Sequence, residues 1–216
     1  MMTLHYFPGS CSLASHIALE EAGADYRAVR VDLRAGQQRS DDYLALNPLG
    51  RVPVLVVDGV ALVENAAILA FIAQRFPAAG LAPVDDPLAF ARVQGFNLFL
   101  ASTVHPAHAH GVRGYRWADD PAAIAAMKAK VPQVIGDCFD LIERDGLLGP
   151  WVMGEAYGIC DPYLFTLARW LEEDGVDPAR WPKVEAHRRR MAERPAVRKV
   201  LADEGAVEPL WRKTVA

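Results

Sequence analysis

The amino-acid sequence predicts a small α/β domain followed by an all-α domain. Over the first 77 residues, apolar positions switch repeatedly between the two-residue period of strands and the roughly 3.6-residue period of helices. Beyond residue 87 only helical patterns occur. The segment between them is rich in Pro, Gly and Asp, which is typical of a linker. We therefore predict domains over residues 1–77 and 88–216, joined by a linker over 78–87.

Turn residues set the boundaries of the elements in the first domain. The predicted order is a strand at 4–7, a helix at 11–22, a strand at 29–33, strands at 52–57 and 60–63, and a helix at 64–76. Asp58-Gly59 is a strong signal for a two-residue hairpin turn. Gly23 and Pro77 end the two helices. The stretch between the second and third strands is polar and is predicted to lack a regular element.

The second domain is predicted to contain helices only. Clusters of Pro, Gly and Asp separate the helical patterns, which cover 88–115, 121–144, 161–173, 182–193 and 195–204. Neither an internal repeat nor a low-complexity tract is visible.

Composition and charge argue against several classes of protein. Lys and Arg number 23 against 27 Asp and Glu, a net charge of -4, which argues against a nucleic-acid binder. Polar residues interrupt the richest apolar stretch before it reaches the roughly 18 residues of a membrane span, so no membrane partner is expected. The first ten residues lack the basic and apolar regions of a secretory signal, so the predicted location is cytoplasmic. Three cysteines without a C-x-x-C pair argue against a disulfide framework or a cysteine zinc site.

Cys11 is the first candidate functional residue. It lies where a strand and turn give way to a helix, and the N–H groups at a helix N-terminus favour a thiolate. The position is that of a reactive thiol. The alternative is a small buried apolar residue, which is what most free cysteines are.

Two further element boundaries suggest peptide binding. A cis Val52-Pro53 bond would turn the Val52 backbone outward to pair with an extended peptide, whereas an ordinary trans edge proline would not. Glu64-Asn65 begins a helix, where backbone amides bind carboxylates, although Asn65 is equally suited to simple N-capping. Together with Cys11, these features predict one site for a small peptide.

Four motifs give the sequence a family resemblance. In chain order they are Tyr6-Phe7-Pro8-Gly9-Ser10-Cys11-Ser12-Leu13, Tyr43-Leu44-Ala45-Leu46-Asn47-Pro48, Gly50-Arg51-Val52-Pro53-Val54-Leu55 and Glu64-Asn65-Ala66-Ala67-Ile68. The chain resembles the cytosolic glutathione transferases, and the cysteine at Cys11 is most similar to the bacterial beta class. The resemblance implies a thioredoxin-like glutathione-binding domain, an all-α domain and a homodimer.

The resemblance also implies roles for individual residues. Catalysis would involve the cysteine that can form a mixed disulfide with glutathione, two neighbours near the sulfur and a histidine of the second domain, namely Cys11, Tyr6, Ser12 and His105. Glutathione would be bound by Cys11, Arg51, Val52, Pro53, Glu64 and Asn65. The implied partners are glutathione as cosubstrate and a small hydrophobic electrophile, without a metal.

Some positions depart from the family pattern. Lysines expected after Leu33 and after His105 are replaced by Gly36 and Pro106, and Leu98 stands where an asparagine is expected. These departures change residues that the resemblance assigns to the ionic contacts with glutathione and to the electrophile pocket. Near Asp161 a capping Ser or Thr is replaced by Gly158, and Asp161 keeps a structural role.

Other readings of the sequence stay open. His105, His108 and His110 have the appearance of a metal cluster, but Pro106 is expected to break the helical spacing that ligation needs. Tyr115 and Trp117 belong either to the electrophile site or to the core. Two chemistries fit, conjugation by the thiolate of glutathione and thiol-disulfide exchange through Cys11. The rival class is a catalytically silent ligand-binding or protein-binding module of the same fold.

Overall fold

A computed structural model describes residues 1–205 of the chain. Its sheet has the strands β1 Met2–Tyr6, β2 Tyr26–Arg30, β3 Val54–Val57 and β4 Val60–Val63 in the order β2-β1-β3-β4. β1 pairs with β2 in parallel, and the other two pairings are antiparallel. This four-stranded mixed sheet with its helices confirms the predicted thioredoxin-like α/β class.

Local chemistry explains the ends of the strands. Asp58 and Gly59 both have positive φ, at 48° and 86°, as a tight hairpin turn between β3 and β4 requires. β2 ends three residues before the predicted end at position 33. The chain turns there because the carboxylate of Asp32 accepts hydrogen bonds from the backbone N–H groups of Arg34 and Ala35. The predicted 29–33 strand was therefore placed too far along the chain.

The helices are α1 Ser12–Glu21, α2 Asp41–Leu46, α3 Asn65–Arg75, α4 Pro87–Phe99, α5 His105–Arg113, α6 Pro121–Leu141, α7 Cys160–Ala168, α8 Pro182–Glu193 and α9 Pro195–Asp203. Several begin with proline. It is tolerated there because the N–H that proline lacks would have no intrahelical partner in the first turn. α2 was not predicted, because its six residues are too few to show a helical period and the stretch before them is polar. Ser40 caps it by accepting a hydrogen bond from the Tyr43 N–H, and the Tyr43 side chain is buried.

The predicted helix over 88–115 is divided. A π-helical segment, Leu100–Val104, separates α4 from α5. Pro106 follows in the first turn of α5, where its ring lacks the N–H that a regular helix would bond to the carbonyl of residue 102. The wider π turn accommodates this break in the hydrogen-bond ladder.

The two parts of the chain share one hydrophobic core. Buried side chains of β1, α1 and α3 pack in one cluster with those of α6 and α7, including Leu4, Leu69, Phe139 and Leu164. Asp161 lies within this region, and its carboxylate accepts hydrogen bonds from the N–H groups of Val152 and Gly158. That geometry is structural, as the sequence predicted for Asp161.

The predicted division into domains at 77 and 88 stays a prediction. The eleven positions 206–216 of the predicted helical domain lie outside the described residues. Among the described residues, no helix is both long and apolar enough to cross a membrane.

Candidate active site

One cleft of about 600 Å³ brings together most of the predicted site residues. The loop after β1, the loop before β3 and the start of α3 form one wall. α5 and the turn that follows it form the opposite wall, together with residues 169–173. The predicted residues that line it are Cys11, Arg51, Val52, Pro53, Glu64, Asn65 and His105.

Cys11 is the N-cap residue of α1 and is half-buried at the cleft surface. Its thiol donates a hydrogen bond to the backbone carbonyl of Val52, with Sγ and O 3.3 Å apart. Burial raises the pKa of this thiol to about 11, even though the nearby Arg113 and Arg51 act in the opposite direction. Desolvation of the thiol therefore outweighs the helix N-terminus, and the expectation that this terminus favours a Cys11 thiolate is not met.

Two side chains fix the backbone of the loop that carries Val52 by hydrogen bonds. The Tyr43 hydroxyl and the Asn47 side-chain amide both donate hydrogen bonds, each of 2.9 Å, to the carbonyl oxygen of Arg51. The peptide between Val52 and Pro53 is cis. The sequence reading missed Tyr43 and Asn47 as supports because α2 was not predicted.

Glu64 and Asn65 play different parts at the start of α3. Glu64 is exposed and has φ of 69°, an unusual backbone conformation for a non-glycine residue and one often found at functional sites. Asn65 does not cap the helix as proposed from the sequence. Its buried amide accepts a hydrogen bond from the Ser15 hydroxyl and donates one to the carbonyl of Cys11. It therefore ties α3 to the start of α1.

Tyr6 and Ser12 do not reach the cleft. The Ser12 side chain is fully buried, and its hydroxyl bonds to the backbone of Phe7 and to the Ser10 hydroxyl. Tyr6 packs against the His16 ring, 4.9 Å between centroids, and lines a separate cavity. Ser10, the residue before Cys11, lines the cleft instead. The predicted places of Tyr6 and Ser12 beside the sulfur are therefore not retained.

His105 faces the cleft from the start of α5. Burial lowers the pKa of its imidazole to about 3, and His108, Arg113 and other cations nearby add to this. The ring is therefore neutral at physiological pH. It lies 5.3 Å, between centroids, from the Trp170 indole, which also stacks on His108 at 4.3 Å.

Pro106 does not break the geometry of this helix, contrary to the sequence argument. His105 and His108 lie three residues apart on α5, and Pro106 is accommodated in its first turn. His108 instead pairs through Nδ1 with the buried Asp174 carboxylate, 2.7 Å away. Within the described part of the chain, no group of three or more His, Cys, Asp or Glu side chains is arranged to hold a metal ion.

Comparison with known proteins agrees with this geometry. Residues 1–74 match the family described as "Glutathione S-transferase, N-terminal domain". The chain is 34% identical over 207 residues to glutathione S-transferase GstA of Escherichia coli O157:H7, covering 94% of this chain and 99% of that protein. The chain belongs to the glutathione S-transferase family.

Two solved structures extend the comparison. A glutathione transferase homologue from Sulfitobacter, with bound glutathione, superposes with a TM-score of 0.90 at 44% identity, covering 94% of this chain and 98% of that one. A bacterial beta class glutathione S-transferase from Sphingomonas chungbukensis gives a TM-score of 0.83 at 35% identity, covering 95% and 100%. The second likeness agrees with the predicted resemblance to the beta class.

The structure adds residues to this candidate site that sequence reasoning missed. Arg113 and Arg116 line the helical wall, where Tyr115 and Trp117 are 65% and 49% exposed and so belong to the cleft rather than the core.

At the opposite end of the chain, the Glu204 carboxylate accepts a hydrogen bond from the Gly9 N–H, 2.9 Å away. Its other oxygen lies 2.9 Å from His16 Nδ1. No local pattern marks Glu204, because its partners lie nearly 200 residues away.

Proposed function

We propose that this family member conjugates the thiolate of glutathione to a small hydrophobic electrophile. Thiol-disulfide exchange through Cys11 is the second chemistry of the same site. The observation that carries the proposal is the position of the Cys11 thiol in the cleft. The thiol contacts the Val52 carbonyl, and one wall of the cleft comes from the α/β part of the chain and the other from the helical part. Family membership supports it, as does the glutathione bound to the Sulfitobacter homologue.

The cleft offers a partner for each charged end of glutathione. The backbone of Val52 would pair with the cysteinyl part in the manner of an added strand. The N-terminus of α3 would receive the γ-glutamyl carboxylate, and the exposed Glu64 carboxylate its ammonium group. Arg51, and Arg39 beside it in the cleft lining, would receive the glycyl carboxylate, which compensates for the missing lysine at Gly36.

The high pKa of Cys11 bears on which sulfur reacts. With a pKa of about 11 the Cys11 thiol keeps its proton at neutral pH and acts as a hydrogen-bond donor. In the complex it would turn from Val52 to the glutathione sulfur, which is the more acidic thiol. The guanidinium groups of Arg51 and Arg113 favour the negative charge there, and the neutral His105 can donate a ring N–H.

Conjugation then proceeds by attack of the glutathione sulfur on the electrophilic carbon. A carbon–sulfur bond forms, the leaving group departs with its electron pair, and the thiol proton has already passed to solvent. In exchange, by contrast, the ionised Cys11 attacks a glutathionyl disulfide and displaces the other thiolate. The protonated state of Cys11 makes exchange the slower chemistry at neutral pH.

A Cys11→Ala variant separates the two chemistries. We expect it to lose glutathione-disulfide exchange and the covalent glutathionyl adduct seen by mass spectrometry. It should keep measurable conjugation of a neutral aromatic halide. Cys138→Ala, which removes a buried thiol outside the cleft, is the control and should retain both activities.

Three results would contradict this assignment. If Cys11→Ala loses conjugation but keeps exchange, the roles are reversed. If both activities survive unchanged, Cys11 is structural. If the wild-type protein binds glutathione but turns over neither class of substrate, the silent ligand-binding or protein-binding module is the correct reading.

We further propose that the protein is a cytoplasmic homodimer, as is typical of the family. Light scattering over a range of concentrations tests the assembly. A mass twice the 23.7 kDa of one chain is expected, and a constant mass of one chain would contradict it.

A further inference from the structure

The cleft is positively charged although the chain as a whole carries -4. Its charged lining residues other than histidine are the arginines Arg39, Arg51, Arg113, Arg116 and Arg169 and the glutamates Glu64 and Glu173. Three of the arginines lie on the helical wall, where the second substrate would bind. A cleft built only for a neutral hydrophobic molecule would not need this charge.

Arg116 differs from Arg169, another cation of the helical wall, in its charged neighbours. It follows α5, in the turn between Tyr115 and Trp117, where its guanidinium hydrogen-bonds the Tyr115 side chain and interacts most strongly with the charges of Arg113 and Arg51. Burial and the repulsion from these two arginines lower the pKa of the Arg116 guanidinium. Arg169, in contrast, lies near the carboxylates of Glu204 and Glu172.

The ion pairs within residues 1–205 do not include any of the five cleft arginines. They give a carboxylate partner to Arg180, Arg188 and Arg194, among others, but not to Arg116. A cleft cation whose strongest charge interactions are with other arginines is well placed to bind an anion that arrives with a ligand.

Glutathione does not account for this charge. Its two carboxylates, its ammonium group and its ionised sulfur are matched in the proposed complex by Arg39, Arg51, Glu64, the α3 N-terminus and Arg113. Arg116 stays without an anionic partner on the wall that faces the second substrate. The exposed rings of Tyr115 and Trp117 beside it provide apolar surface for a flat molecule.

Building on the proposed function, we propose that the second substrate is an unsaturated or aromatic electrophile bearing a carboxylate, and that Arg116 binds this carboxylate. The guanidinium forms a two-pronged pair with the carboxylate, and the aromatic rings of the turn contact the carbon skeleton. The electrophilic carbon is thereby directed toward the glutathione sulfur near Cys11.

A matched pair of substrates tests this proposal. A chlorodinitrobenzoate and its methyl ester both react by formation of a carbon–sulfur bond and loss of chloride, and they differ only in the anionic group. After correction for the uncatalysed rates, the wild-type kcat/KM should favour the acid. Arg116→Met should lower kcat/KM for the acid by about 10-fold or more, with the ester changed by less than about 2-fold.

Two further variants serve as controls. Arg116→Lys keeps the charge and should retain much of the preference for the acid, while Arg198→Met removes an exposed arginine of α9 and should change nothing. The KM for glutathione should stay the same in all of them. Equal losses on acid and ester in Arg116→Met, or no preference for the acid in the wild-type protein, would overturn the inference while leaving conjugation intact.

If the protein turns over neither substrate, the proposed conjugating activity is wrong, but the proposed role of Arg116 can still be tested by binding. Calorimetry with the two synthetic glutathione conjugates then measures whether Arg116 binds the carboxylate. Tighter binding of the conjugate with the carboxylate, lost in Arg116→Met, would support the anion site. Equal affinities for the two conjugates would refute it.

Discussion

Asn65 is predicted to hold the active-site end of α1 in place through two hydrogen bonds. Its side chain is 5% exposed, so water does not replace these bonds when the amide is removed. In an Asn65→Ala variant, the carbonyl of Cys11 and the hydroxyl of Ser15 both lose the partner that Asn65 supplies. Each buried group left without that bond costs about 1–3 kcal/mol. Two such groups give about 2–6 kcal/mol, but the Cys11 carbonyl is only partly buried and still accepts a hydrogen bond from the Ala14 N–H, so we expect a loss of about 2–4 kcal/mol in the free energy of unfolding.

Urea denaturation at a fixed chain concentration measures this loss, and the thermal midpoint should fall by roughly 4–16 °C. Asn97→Ala is the matched control. Asn97 is fully buried in α4, and within residues 1–205 neither the oxygen nor the nitrogen of its amide has a hydrogen-bond partner. The control therefore shows what removing a buried asparagine costs when no hydrogen bond is lost. If Asn65→Ala is destabilised no more than Asn97→Ala, to within about 0.5 kcal/mol, the reasoning from these hydrogen bonds is refuted.

Three other predictions follow from single side chains. The rate of Cys11 alkylation by iodoacetamide, followed by peptide mapping without glutathione, should rise with a midpoint near pH 11, the pKa that burial gives the thiol. The folded-state pKa of His105 is about 3, so the unfolded state gains the proton first on acidification, and stability falls below pH 6.5. Between pH 7 and 5 this costs about 2 kcal/mol, a loss absent from His105→Gln. Glu204→Ala leaves the buried His16 without its partner and should lower stability by about 3 kcal/mol in urea denaturation.

Each of these has a contradicting outcome. An alkylation midpoint at or below 9 would mean that the Cys11 thiol has the acidity of an ordinary cysteine. If the free energy of unfolding falls equally between pH 7 and 5 in the wild-type protein and in His105→Gln, the neutral His105 imidazole is not the cause of the loss. For Glu204 the comparison is Asp203→Ala, an exposed neighbour on α9, and equal losses in the two variants would show that the buried contacts to Gly9 and His16 do not matter.

Much of the fold could be predicted because its signals are local. The hairpin at Asp58-Gly59 and the stop at Pro77 depend on backbone preferences of the residues themselves. α2 was missed because one buried side chain, Tyr43, and one cap, Ser40, are too little for a periodic pattern. The π segment before α5 was missed because its apolar residues continue the helical spacing on either side.

The site was predictable only where sequence motifs carry it. Cys11, Val52 and Glu64 lie together in the cleft as expected. Tyr6 and Ser12 are close in sequence to Cys11, but their side chains point into the protein, and sequence distance does not reveal direction. Arg116 and Glu204 depend on contacts between distant segments, which no local pattern records.

At neutral pH we expect the sulfur of bound glutathione, rather than that of Cys11, to be the ionised nucleophile. Far-ultraviolet absorbance of the thiolate, recorded against pH for the saturated complex and for each component alone, measures this directly. We predict a thiolate that appears in the complex at a lower pH than in free glutathione and that persists in Cys11→Ala. A bound thiol that ionises at the same pH as free glutathione, or a signal that disappears with Cys11, would contradict the account.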